Sequence, residues 1–206
     1  LGAIPDSLFA FCDSLEKVNI PASITSIGAN AFQSCDKLKE IVIPDSVRSI
    51  GSGAFQGCAS ITSAHIPSGM TEIASRLFVG CTSLTEVNVP EGVTSIGDSA
   101  FSDCKLIKTI TLPQSLRSVG AKAFYECDGL TAILLPDSVT SIGKYAFFSC
   151  EALKKVTFPK SLESIGDSAF AYCTVLGSIE LHEGLLVLED RAFGSCHAVT
   201  SVTLPD

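Results

Sequence analysis

The chain has 206 residues, 46% of them hydrophobic, and a formal net charge of −8 at pH 7. That apolar share excludes a disordered chain, and an acidic balance without clustered Lys and Arg argues against a nucleic-acid-binding footprint. No run of about 18 apolar residues offers a membrane span, and Leu1-Gly2-Ala3-Ile4-Pro5 lacks the basic start and apolar stretch of a signal peptide.

From the N-terminus onward, one pattern repeats without a slip. Cys12, Cys35, Cys58, Cys81, Cys104, Cys127, Cys150, Cys173 and Cys196 stand 23 residues apart, and a phenylalanine precedes each by three. Strict self-similarity at this period predicts one supersecondary unit stacked on copies of itself. Nothing breaks phase to mark a linker, so residues 1–206 read as a single array. Leu1 aligns with Ile24, in mid-repeat, and neither end shows an atypical capping unit, so the expectation is a segment of a longer protein.

Within a unit, the elements follow in order from the cysteine. The stretch at +5 to +8, as in Glu86-Val87-Asn88-Val89 or Thr109-Ile110-Thr111-Leu112, alternates polar and apolar residues. Period two predicts a half-buried strand with +6 and +8 inward and +5 and +7 outward. Proline follows at +9 in eight of nine copies and ends that strand at a corner, because it cannot donate to a ladder. A short second extended piece comes next, such as Ser138-Val139-Thr140-Ser141-Ile142-Gly143. Glycine at +16 (Gly28, Gly51, Gly97, Gly120, Gly143, Gly166) suits either a positive φ or a close backbone approach. The segment Asp98–Cys104, with its Phe and Cys, predicts one turn of α or 3₁₀ helix. One unit cannot bury its apolar side; stacked units form a continuous core. At about 4.8 Å per coil, nine coils extend roughly 40 Å.

The pattern L-x-x-I-x-I-P-x-S-V-x-S-I-G-x-x-A-F-x-x-C, carried by residues 130–150 and their equivalents, resembles the 23-residue BspA-like (Treponema-type) leucine-rich repeat family. The resemblance covers essentially the whole chain. It implies a mainly β fold with short helical turns: a right-handed parallel β solenoid of about nine coils. It implies that the +5 to +8 strands line a concave inner face, and it points to surface proteins that act in adhesion and recognition.

On that face the pair Ala132/Leu134 is apolar and is flanked by Thr109, Thr111, Lys155 and Thr157. An apolar centre with a polar rim is how a binding patch is organised, although two apolar residues on a sheet are also ordinary surface variation. The eighth copy breaks the rule elsewhere. His182 replaces the corner proline, Leu186 and Val187 stand where most copies are polar, and Glu189 replaces glycine. An exposed apolar pair marks a partner surface or a place covered by a flanking segment. The fourth copy, with Ala74 for glycine and Arg76-Leu77 before Phe78, reads as drift.

The cysteines offer no C-x-x-C and no second cysteine in any copy, so they read as a ladder of small buried thiols. Free thiols favour a reducing compartment, against the surface location that the resemblance implies. His65, His182 and His197 occupy different phases of the coil, and no nucleophile–base–acid set or phosphate loop is present. The expectation is therefore no enzyme and no cofactor or metal. The chain reads as a module that binds another protein or surface macromolecule, or alternatively as a structural subunit of a larger assembly.

Overall fold

The computed structural model describes residues 1–205, and in it the chain winds as a parallel β solenoid of about nine coils. Every strand pairing joins residues one period apart, for example Ala3↔Ser26, Ser63↔Glu86 and Ala132↔Lys155, so the register never slips. Each coil contributes a first strand, a corner, a second strand and a run of turns. The second strands form a three-stranded sheet (Ala3–Ile4, Ser26–Ile27, Ser49–Ile50) and a six-stranded one running from Glu72–Ile73 to Val187–Leu188.

The first strands are less continuous than their alternation predicts. Glu40–Val42, Ser63–His65 and Glu86–Asn88 form one sheet, Ala132–Leu134 pairs with Lys155–Thr157, and Ser178–Glu180 pairs with Ser201–Thr203. Thr109, Ile110 and Thr111 keep the predicted exposed–buried–exposed alternation but lie in no strand. Side-chain periodicity is thus set by burial, and it survives where the ladder does not.

The largest correction concerns the segment around the phenylalanine, which is not helical. Two residues in each coil, two before and two after the Phe, have φ between 53° and 75°. Such residues cannot propagate a right-handed helix. They build successive tight turns instead, and the hydrogen bonds alternate. In the fifth coil Ala100, Ser102 and Cys104 donate their N–H groups three residues back, to Gly97, Ser99 and Phe101. Ser99, Phe101 and Asp103 donate across to Ala121, Ala123 and Tyr125 of the next coil, each at 2.8 Å. A helical turn would consume those donors within the coil, whereas here they stitch coil to coil, which offsets the left-handed backbone. The opposite side of the coil points the other way: Thr94 and Gly97 donate to Thr71 and Ile73 of the preceding coil.

The phenylalanines form one column through the core. From Phe9 to Phe193, consecutive rings are nearly parallel with centroids 4.9–5.8 Å apart, and those from Phe32 to Phe170 are fully buried. The glycines at +16 serve close approach, since none of them has a positive φ. A Cβ on Gly143 would lie 2.6 Å from the backbone nitrogen of Ala121 and 2.7 Å from the carbonyl carbon of Gly120. Gly143→Ala should therefore cost about 1–3 kcal/mol in urea denaturation, by forcing two coils apart. A loss below about 0.5 kcal/mol would mean that the coils separate freely at this corner.

Candidate functional site

The strand alternation and the one-period register bring the predicted face together. Ala132 sits opposite Lys155 and Leu134 opposite Thr157, with Ile133 between them in the core. Leu134 is 64% exposed, and Ala132, Lys155 and Thr157 are also open to solvent. Thr109 and Thr111 belong to the preceding coil, where the N–H of Thr131 reaches the Lys108 carbonyl, and both are exposed. The same face carries a second apolar point besides Ala132/Leu134. Val42 is 65% exposed, four coils away. Between the two lies a shallow depression of about 660 Å³ whose lining includes His65, Asn88, Thr109 and Thr111. Asn88 is fixed there, because its side-chain amide accepts from the Ile66 N–H at 2.9 Å and donates to the Ile66 carbonyl at 3.2 Å.

Leu186 and Val187 lie on a different side, that of the second strands. Leu186 is 78% and Val187 46% exposed, and the N–H groups of both reach the carbonyl of Glu163. The two predicted patches are therefore separate surfaces. Glu189, in place of glycine, sends its carboxylate back to the Asp167 N–H at 2.8 Å.

A third feature, missed in the sequence, gathers every tyrosine of the chain. Tyr125 stacks on Phe148 at 5.2 Å and 4°, Tyr145 meets Phe148 edge-on at 5.4 Å, and Tyr172 lies 5.1 Å from it at a tilt. Lys122 lies over the rings of Tyr125 and Tyr145, and Lys144 lies 4.9 Å from Tyr145 while pairing with Asp167 at 2.7 Å. Tyr125 and Phe148 share one phase of the repeat in adjacent copies, and aligned copies display that signal. It lies beside the Phe column, away from the strand positions that drew attention.

The cysteines are free, and those from Cys35 to Cys173 are buried. Each thiol from Cys35 onward donates to the carbonyl of the Phe in the preceding coil, as Cys104 does to Phe78 at 3.2 Å. The ladder is thus a column of weak donors as well as a column of small apolar groups. Burial pushes the Cys58 thiol up to about 12 and those of Cys81, Cys104 and Cys150 well above the ordinary range. Among the described residues no three His, Cys, Asp or Glu side chains converge as a metal site. No described helix is long and apolar enough to cross a membrane.

A family model described as the BspA type leucine rich repeat region (6 copies) matches residues 2–131 and 106–206. The chain belongs to this leucine-rich repeat family. Among solved structures, it is similar to a leucine-rich repeat protein from Bacteroides ovatus, with 28% identity and a TM-score of 0.70. That match covers 100% of this chain but 64% of the other, so the chain spans less than two thirds of that relative. A leucine-rich repeat protein of T. pallidum is 27% identical with a TM-score of 0.72, over 89% of this chain and 87% of that one. The pneumococcal vaccine antigen PcpA, at 15% identity and a TM-score of 0.52, shares the fold. No curated protein matches the chain. Leucine-rich repeat proteins generally act as protein-binding modules.

Proposed function

We propose that this array is a non-enzymatic adhesion or protein-binding module that acts outside the cell or on its surface. Its contact surface is the face of the first strands, taken as concave, with Ala132 and Leu134 at the centre of the contact. The observation that carries this reading is the exposure of Leu134 within a rim of Thr109, Thr111, Lys155 and Thr157. An apolar centre that loses water inside a polar rim is the arrangement in which interface energy concentrates. The partner is another protein or surface macromolecule; the acidic balance disfavours nucleic acid. A rigid array spreads such contacts over several coils.

A second reading, a structural subunit of a larger assembly, draws on the exposure of Leu186 and Val187. The two readings separate by mutation. Binding of the chain to a panel of extracellular proteins is measured by biolayer interferometry, alongside its mass in solution. Under the first reading Ala132→Glu with Leu134→Glu weakens binding at least tenfold, about 1.4 kcal/mol, and leaves assembly unchanged. Under the second, Leu186→Ser with Val187→Ser releases the chain from its assembly while binding persists. If neither pair alters any interaction, both surfaces are wrong.

A further inference from the structure

Three columns of side chains run along the turn side of the array. Counted from each core phenylalanine, they are the residues two before it, one after it and two after it, and the outer two hold the left-handed backbone positions. The middle column carries Tyr125 and Phe148, and both outer columns touch it. Tyr145 meets Phe148 edge-on at 5.4 Å from the column before it, and Tyr172 lies 5.1 Å away in the column after it. Tyr172 is 49% exposed, while Tyr125, Tyr145 and Phe148 are half-buried. Aromatic rings left partly in water among polar neighbours are the residues in which protein interfaces are enriched.

The two outer columns match each other coil by coil. The coil of Phe124 holds Lys122 and Glu126 there, that of Phe147 holds Tyr145 and Ser149, and that of Phe170 holds Ser168 and Tyr172. In every coil but that of Phe124 at least one of the two is Ser or Gly, and the exception carries opposite charges. Lys122 and Glu126 do not satisfy each other: among the described residues neither lies within ion-pair distance of an opposite charge. Such matching suits a two-fold axis that runs along the array. Two strips facing each other about that axis set the first outer column of one against the second outer column of the other at the same height, and the middle column against itself. Large residues then meet small ones, and Lys122 of each copy meets Glu126 of the other. An antiparallel pairing centred on Phe148 would instead press Tyr145 onto its own counterpart and leave both charges opposite uncharged residues, Ser168 and Tyr172.

We propose that the turn side of the array is a self-association surface on which two copies of this chain pack side by side with their axes parallel. Tyr125 and Phe148 meet their counterparts at the centre, and the Lys122–Glu126 pair forms twice, once on each side of the axis. Over five coils at about 4.8 Å the contact is about 24 Å long, at the small end of specific interfaces, so the dimer forms with a Kd of about 10–100 μM. The surface is separate from the first-strand face and from Leu186 and Val187. It holds whether or not either of those binds a partner.

The test is sedimentation velocity of the full chain at up to about 500 μM in about 0.15 M salt, where a Debye length of about 8 Å screens the repulsion between two acidic copies. The wild-type chain forms a dimer that dissociates on dilution. Lys122→Glu or Glu126→Lys alone sets like charges together on both sides of the axis and weakens the dimer at least about tenfold. An equimolar mixture of the two variants associates again, because each copy then offers what the other lacks. Both substitutions use residue types that these left-handed positions already hold, so the fold is kept. Leu186→Ser with Val187→Ser leaves the dimer unchanged. The proposal is overturned if the chain stays monomeric throughout, if neither charge reversal weakens association, or if the mixture fails to recover it. It is equally overturned if the Leu186 and Val187 changes are the ones that dissolve the dimer, or if association runs on to longer oligomers, as an end-to-end contact would.

Discussion

Raising the pH from 7 to 10 should destabilise this protein by most of its folding free energy. Six thiols, those of Cys58, Cys81, Cys104, Cys127, Cys150 and Cys173, lie deep in the core and are held protonated by burial. In the unfolded chain they ionise near pH 8.5. Above that pH the native state therefore binds more protons than the unfolded state, and stability falls as pH rises. The contribution is intact below about pH 8.5 and erodes upward toward the native pKa, which for Cys58 is about 12. At pH 10 each such thiol costs about 2 kcal/mol, and six together cost on the order of 10 kcal/mol, comparable with the stability of a whole domain. Urea midpoints across this pH range measure the effect. Cys104→Ser keeps a donor near the Phe78 carbonyl but removes one titrating group, so its alkaline loss should be shallower by about 2 kcal/mol. In the native state at pH 7, an aromatic disulfide reagent should modify the exposed Cys12 rapidly and the interior thiols only through unfolding. A stability profile that is flat from pH 7 to 10 would show that water reaches the ladder.

The second large effect is mechanical. Phe101 is fully buried, with Phe78 at 5.8 Å on one side and Phe124 at 5.3 Å on the other. Phe101→Ala removes a ring from the middle of a column that cannot close up, since the coil spacing is fixed by backbone hydrogen bonds. The expected cost is about 3–5 kcal/mol. Stability in such an array is a chain of neighbour-to-neighbour terms, so the weakened junction should also broaden the urea transition as the two halves uncouple. Thr109→Ala, on the open face of the same region, should change stability by less than about 0.5 kcal/mol. Equal losses at the two positions in matched urea titrations would invert the assignment of inside and outside.

Much of this architecture is legible in the residues because the physical constraints are local and repeated. Period two at +5 to +8 reports burial, and burial alternates as expected even at Thr109–Thr111, where the ladder is absent. The Phe and Cys columns follow from phase alone. The turn segment was misread because it satisfies two demands at once, a tight bend and donors aimed along the stack. Its left-handed residues include Asn30, Gly53 and Asp103, types that tolerate positive φ, but also Ser7, Lys122, Tyr145 and Arg191, which give no such warning. The aromatic cluster escaped for a different reason. Tyr125 and Phe148 are separated by a full period, so their stacking becomes visible only when copies are laid side by side.

The opposed hydrogen-bond directions carry a consequence for how far such an array can grow. The three bond columns beside the phenylalanines run toward the C-terminal end. Those through Thr62 and Thr85, through Thr94 and Arg117, and through Gly97 and Gly120 run toward the N-terminal end. Peptide dipoles in the two sets oppose each other, unlike those of an α-helix, which add head to tail. Adding coils therefore does not sum these dipoles head to tail, so a long spiral of this kind escapes the growing end-to-end polarity of a long helix.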